Sequence, residues 1–390
     1  MKYARLVLSA LLVFGALTAT SAAREIKVGV IGIFTGPFAQ WGTQFKQGVE
    51  TYQEQNGTKV GNDTVTVIYR DSTGKPDMAK RLAEELILQD KVDVIGGLVL
   101  TPEGLAVAPV LTEAKVPGVI FNAGTHFVTR KSPMFVRVSF TLDQSIVPLV
   151  DWASKEGGIK SAVICVTDYA PGQASAATYA EEFKSHGIKL LDTLKMPLDT
   201  KDFSVYAQKI MDAKPDGVFL FIPVGTPSIS FMKTIGERGV MQSGIKVFGL
   251  AEFTELDLGK FDDSVLGAYS GWHYSSMHNS PTNKAFVAAL TKKFPGAIPD
   301  TATVAAYDGM HVIYEMVKKT NGKMGPAAVD AVKGLAWESP RGPVSIDPKE
   351  RDIIQNIYIR KVVKKDGVKF DEEFKTYPNV KDPWKERHPG

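Results

Sequence analysis

The chain has 390 residues, 44% of them hydrophobic and 23% charged, with a formal net charge of +3. That balance excludes a disordered or fibrous chain and argues against a basic nucleic-acid-binding surface, while a single cysteine, Cys165, excludes an internal disulfide and a cysteine-rich metal cluster. At ~100–200 residues per domain, the length predicts two or three compact units.

Residues 1–23 read as a secretory signal. Lys2 and Arg5 supply the positive end, Leu6 to Leu17 the apolar stretch, and Ser21-Ala22-Ala23 the small residues before cleavage. The apolar run is shorter than the ~20 residues that span a bilayer, and no cysteine follows it to carry a lipid. Removing Lys2 and Arg5 from the 46 basic residues leaves 44 against 43 acidic, a net of +1. The mature chain is therefore expected to be exported, soluble and free of a lipid anchor.

Beyond the signal, short apolar runs alternate with helix-period segments. Ile26 to Ile31 opens the series, followed by a helical stretch in which Phe45, Val49 and Tyr52 share a face. Val65 to Tyr69 is the next strand; Ala79, Leu82, Ala83, Leu86 and Ile87 mark the next helix; Val92 to Ile95 and Val119 to Phe121 continue the pattern. A second series runs through Ser161 to Val166, Ile188 to Leu194, Gly217 to Ile222 and Lys246 to Phe248, with Cys165 inside a strand that reads as buried. Such alternation predicts parallel sheets with helices on both faces, here as two doubly wound α/β lobes. Phe135 to Thr141 suits a crossing strand between them. The late helical block, Asn283 to Phe294 and Thr301 to Thr320, has too few strands for a third domain and is expected to pack back on the first lobe. Two lobes joined by short crossings form a hinge over a ligand cleft, and the strand-to-helix loops face that cleft.

The chemistry of catalysis is not legible in this chain. Gly74-Lys75 is followed by Pro76, which lacks the hydroxyl of a phosphate-binding loop; Gly29, Gly32 and Gly36 miss the dinucleotide spacing; His273 and His278 lack helical zinc spacing; and no Gly-x-Ser-x-Gly elbow occurs. Asp262-Asp263 and Glu372-Glu373 read as solvated faces. No catalytic residue, cofactor or metal site is predicted.

The loop Gly36-Pro37-Phe38-Ala39-Gln40-Trp41-Gly42 after the first strand closely resembles the leucine/isoleucine/valine-binding proteins, exported solute-binding proteins of ABC importers with the type I periplasmic-binding fold. Gly96-Gly97-Leu98, Leu105 to Pro109, Asn122-Ala123-Gly124, Asp168-Tyr169-Ala170 and Ala305-Ala306-Tyr307-Asp308 extend the likeness in the right order over nearly the whole mature chain. The resemblance implies two doubly wound lobes on a three-crossing hinge, residues 24–142 with 276–347 and residues 143–275 with 348–390. It further implies a periplasmic location, an inner-membrane ABC permease as partner, a monomer, and no nucleic acid. The alternative is a periplasmic sensing module that feeds a signalling partner.

Carried over residue by residue, the resemblance gives six ligand-binding candidates. Trp41 matches an aromatic beside the ligand, the alternative being a Trp wedged under the first helix. Thr101 falls on the hydroxyl position for the ligand carboxylate; it equally suits a helix N-cap, with Pro102 following. Asn122 and Thr125 share the second acceptor–hydroxyl patch, in a register open by one residue. Tyr169 lies in the Asp-Tyr-Ala loop. Glu252 falls where amino-acid binders keep a carboxylate for the ligand ammonium; the alternative is a surface loop acid. Three departures weaken the case for a zwitterion: Val99-Leu100-Thr101-Pro102 replaces a serine run, Pro171 a tyrosine, and Val224 a polar or aromatic position. With Phe38, Trp41, Tyr169, Phe253 and Tyr274 near cleft loops, an aromatic or branched apolar acid is expected, either an aromatic carboxylate or an amino acid. Amides and short-chain acids are further ligands of such proteins.

Overall fold

A computed structural model describes residues 23–389; the signal read in residues 1–23 lies outside them except for Ala23. The first sheet comprises β1 (Glu25–Gly32), β2 (Lys59–Val60), β3 (Asp63–Asp71), β4 (Val94–Gly97), β5 (Gly118–Ile120) and β6 (Phe135–Arg137). Its order is β2-β3-β1-β4-β5-β6, and every pair except β2–β3 is parallel. Strand β1 buries Ile26, Val28, Val30 and Ile31, as a strand covered on both faces must. The connecting helices are α1 (Ala39–Asn56), α2 (Pro76–Leu88) and α3 (Thr101–Ala114). Helix α2 turns Ala79, Leu82, Ala83 and Leu86 inward, the face its apolar spacing predicts.

After β6 the chain crosses through residues 138–141 into α4 (Leu142–Lys155) and the second sheet. There β7 (Ser161–Thr167), β8 (Lys189–Met196), β9 (Gly217–Phe221), β10 (Lys246–Gly249) and β11 (Tyr269–Trp272) pair in parallel, order β8-β7-β9-β10-β11. Helices α5 (Ala170–Ser185), α6 (Ser204–Ala213), α7 (Thr226–Glu237) and the short α8 (Glu255–Leu258) connect them. Cys165 is fully buried in β7, and burial raises its thiol pKa well above the usual range.

The chain then returns to the first lobe as α9 (Pro281–Lys293), α10 (Thr301–Thr320) and α11 (Pro326–Ala331), where α1 packs on α9 and α10. The contact is close at Gly48: a Cβ there would lie 2.1 Å from the Thr303 carbonyl oxygen. Strands β12 (Ala336–Ser339) and β13 (Gly342–Ile346), expected in the first lobe, hydrogen-bond into the second sheet through β14 (Ile353–Lys365). Their side chains Trp337 and Ile346 nevertheless pack in the first-lobe core, so this ribbon belongs to both. Strand β15 (Val368–Val380) pairs with β14 as a long antiparallel hairpin, and α12 (Pro383–Arg387) follows.

Arg341 locks the junction. Its guanidinium donates to the carbonyls of Val138 and Ser139 on the first crossing, to Asp308 on α10 and to Gln355 on β14. No helix among the described residues is long and apolar enough to cross a membrane.

Candidate ligand-binding site

The carboxyl ends of both sheets face one cavity between the lobes. Its envelope is about 590 Å³, of which about 60 Å³ is open to the centres of water molecules. A single water needs ~10–15 Å³ on that measure, so the space suits one small ring rather than a peptide.

The first wall is set by backbone constraints after β1, β4 and β5. At the end of β4, Gly97 has φ +105°, and a Cβ there would lie 2.1 Å from the Ile31 carbonyl. Leu98 follows at φ 66°, a left-handed conformation that a branched side chain adopts only under constraint. The chain is thereby turned so that Val99, Leu100 and Thr101 line the cavity at the start of α3. Leu100, not Thr101, occupies the N-cap position. The reason is Glu103: its carboxylate accepts the Leu100 N–H at 2.7 Å and so starts the helix one residue earlier. The Thr101 hydroxyl is left to pair with that of Thr125 at 2.8 Å. In such a pair one proton satisfies the partner and the other is available to a ligand.

Thr125 itself does not line the cavity; it is fully buried behind Thr101. The loop that carries it is tied by Arg137, which donates to the carbonyls of Ala123 (2.8 Å), Thr125 (2.9 Å) and His126 (3.3 Å) and is paired with Asp352. On the same loop Asn122 lines the cavity, with its Nδ2 donating to the Val99 carbonyl at 2.7 Å. Trp41, on the first turn of α1, both lines the cavity and packs in the first-lobe core.

The second wall comes from the loops after β7, β9 and β10. Tyr169 lines the cavity beside Phe221, their rings stacked with centroids 6.2 Å apart. Pro171 and Val224, the departures noted in the sequence, line it as well. Glu252 is 1% exposed and therefore no surface acid. Its two oxygens accept the backbone N–H groups of Ile222 (2.7 Å) and Leu250 (2.6 Å). Burial raises its pKa to about 7, against the pull of those amides and of Arg360. Burial, followed by the Glu252 charge, holds the Tyr169 phenol above its ordinary range.

Phe253 and Tyr274, expected near the cleft, instead sit in other parts of the interior. The aromatic walls that sequence reasoning missed are Phe221, Phe140 and Trp272, the last two with rings 4.7 Å apart. Phe140 belongs to the crossing stretch and Trp272 ends β11, so their apolar character reads as ordinary core.

The arrangement has two polar ends and an apolar middle. At the first end a hydroxyl and the start of a 14-residue helix favour an anion. The middle is a slot of aromatic and aliphatic side chains. The second end presents a carboxyl that meets a donor. No lysine, arginine or histidine lines the cavity among the described residues.

The periplasmic binding protein family matches residues 25–367. The Leu/Ile/Val-binding protein homolog 6 of Brucella melitensis is 42% identical over 384 residues, covering 97% of this chain and 98% of its own. Among solved structures, an ABC-transporter solute binding protein from Rhodopseudomonas palustris BisB5, in complex with 3,4-dihydroxybenzoic acid, is 45% identical. It superposes with a TM-score of 0.89 over 93% of this chain and 99% of its own. A second, from Rhodopseudomonas palustris HaA2 in complex with p-hydroxybenzoic acid, is 41% identical, with a TM-score of 0.90 over 92% and 99%.

Proposed function

The chain belongs to the periplasmic binding protein family, and we propose that it captures an aryl carboxylate between its lobes and delivers it to an inner-membrane ABC importer. The observation that carries this reading is the cavity's polarity: an anion-favouring helix start at one end, a buried acceptor at the other, and aromatic walls between. In this pose the ligand carboxylate meets Thr101 and the start of α3, the ring lies against Trp41 and Phe140, and a para hydroxyl donates to Glu252. The hydroxybenzoates bound by similar proteins at 41–45% identity support the same class. The signal read in residues 1–23 supports export to the periplasm.

A zwitterionic amino acid is the competing ligand, since Glu252 also suits an ammonium. Yet both Glu252 oxygens already accept backbone N–H groups, and burial raises its pKa to about 7, so at neutral pH only about half of the charge that an ammonium needs is present before the ligand arrives. Calorimetric titration of the mature protein with benzoate, 4-hydroxybenzoate, leucine and phenylalanine tests the choice. Binding of 4-hydroxybenzoate is expected, and at 100-fold excess over Kd it adds ~2.7 kcal/mol of stability. Binding of leucine without response to any aryl acid would overturn the reading.

A further inference from the structure

We propose that the C-terminal segment, residues 381–389, is a clasp that is anchored in the first lobe, grips helix α5 of the second, and so favours the closed arrangement of the lobes from outside the ligand cavity.

The segment is fastened to the first lobe at three points. Lys385 is 3% exposed, and its ammonium donates to Asp352 (2.5 Å) and to the Thr129 hydroxyl (2.5 Å). Trp384 lies flat on His126, the rings 3.9 Å apart and 8° from parallel. Arg130, bidentate on Glu350, donates to the His388 carbonyl at 2.9 Å. Asp352 and Glu350 stand in the turn between β13 and β14, and that turn is itself bound into the first lobe. Arg351 donates from it to the carbonyls of Phe135 (3.0 Å) and Thr129 (2.8 Å), and Asp352 holds Arg137 of β6. A lysine this deeply buried is tolerated only while its acidic partner stays in place, so Lys385 marks a fixed attachment.

The grip on the second lobe is made by Arg387. Its guanidinium donates to Glu182 of α5 at 2.5 Å and lies 3.5 Å from Glu181. Glu182 is 3% exposed, which shields this pair more than a surface ion pair. Beside it, His126 meets Asp143 of α4 at 2.9 Å, and the other oxygen of Asp143 accepts from Thr178 of α5 at 2.6 Å. The flank between these ties is not packed: an open groove of about 780 Å³ separates Phe127 and Trp384 from Gln173, Ala177 and Glu181 of α5. The lobes therefore meet here through polar ties rather than an apolar seam. Helix α5 starts at Ala170, directly after the cavity-lining Tyr169, so parting of the lobes draws it away from the clasp and breaks the Arg387 bond. An interaction made in one of two states shifts the population toward that state. Because the clasp touches no ligand, it tightens the binding of every ligand by the same factor.

Double electron–electron resonance reads the arrangement without any ligand. Spin labels go on cysteines placed at Leu88 of α2 and Val205 of α6, one per lobe and 66% and 56% exposed, while Cys165 is buried and stays unlabelled. In this background Arg387→Met, and separately Glu182→Gln, should lose weight at the separation seen in this structure, the closed-to-open ratio falling about three- to tenfold. The double variant should fall no further than the single ones, since all remove the same bond, and circular dichroism checks the fold of each. Saturating 4-hydroxybenzoate should restore the wild-type separation, with the dissociation constants of 4-hydroxybenzoate and benzoate raised by one common factor. Ligand-free distributions that coincide in wild type and both variants would overturn the inference, as would a double variant whose loss is the sum of the two singles. Should Glu182→Gln fail to fold, Arg387→Met alone decides. Failure of every aryl acid to bind would remove the proposed function and leave the clasp judged by the ligand-free distances.

Discussion

At the residue scale, Glu252 makes the cavity sensitive to pH even without ligand. Its folded-state pKa of about 7 lies above the ordinary value of 4.5, because burial penalises the carboxylate more than two backbone N–H groups repay. Between those values the folded protein holds a proton that the unfolded chain has lost. The stability it confers is therefore greatest below pH 4.5 and declines as pH rises to 7, by at most ~3 kcal/mol. Asp300 and Asp382, whose pKa values burial likewise raises to about 7, act in the same direction. Glu252→Gln removes one share of this slope and leaves the others. Urea denaturation of ligand-free protein at pH 5, 6, 7 and 8 should show the wild type losing more stability across that range than the variant. The absolute offset carries no weight, since a glutamine turns one N–H toward a backbone N–H. Parallel stability curves would mean that Glu252 is ionised throughout and that an ammonium ligand regains its case.

At the element scale, the return of α10 to the first lobe depends on a missing side chain. Gly48 lets α1 approach α10 until a Cβ would lie 2.1 Å from the Thr303 carbonyl and 2.9 Å from Ala306 Cβ. Neither backbone nor a methyl group yields cheaply, so Gly48→Ala is expected to destabilise by ~1–3 kcal/mol despite the gain of ~1 kcal/mol in helix propensity. Gly259→Ala, where φ is −66° and nothing approaches within 4 Å, is the control and should be neutral or slightly stabilising. Denaturant midpoints check both, and equal midpoints would show that the two helices separate freely. The helical spacing of the late block made its return legible, and the alternation of strands and helices made both parallel sheets legible, because each is covered on two faces and reads as apolar runs. The hairpin of β14 and β15 was not. Strand β15 is an edge strand with one solvated face, and its Asp371, Glu372, Glu373 and Lys375 look in sequence like a charged tail. Trp41, Tyr169 and Glu252 were legible as wall residues because the family resemblance carries them over and because each stands at a strand-to-helix junction. Phe140 and Trp272 were not, because a hinge segment and a strand end give an aromatic residue no mark that separates a wall from a core. The N-cap of α3 was misplaced by one residue because the capping carboxylate, Glu103, acts from inside the helix.

At the scale of the whole molecule, the deepest groups of the cavity are buried between the two lobes. Thr101 on the first lobe and Glu252 and Trp272 on the second are each 2% exposed or less. A ring that reaches them is enclosed most fully when the lobes close over it and leaves most readily when they part. The construction permits it: the lobe cores sit on separate sheets, the one cysteine is buried in β7 and forms no staple, and Arg341 fixes the crossing strands to α10 and β14 so that motion is not dissipated by local unravelling. A ligand that touches both lobes binds the closed state alone and shifts the population toward it in proportion to that difference. Small-angle X-ray scattering of the mature protein should therefore show a radius of gyration that contracts toward the compact value of ~21 Å for about 367 residues when 4-hydroxybenzoate saturates the site. The contraction should track occupancy measured by calorimetry, and Thr101→Val, which removes the hydroxyl proposed to meet the ligand carboxylate, should need more ligand to reach it. Superimposable profiles at zero and full occupancy would mean that the ligand reaches the cavity without lobe motion, through a local opening of the Tyr169 or Trp41 loops. The loop movement would then set the exchange rate and the hinge would be static.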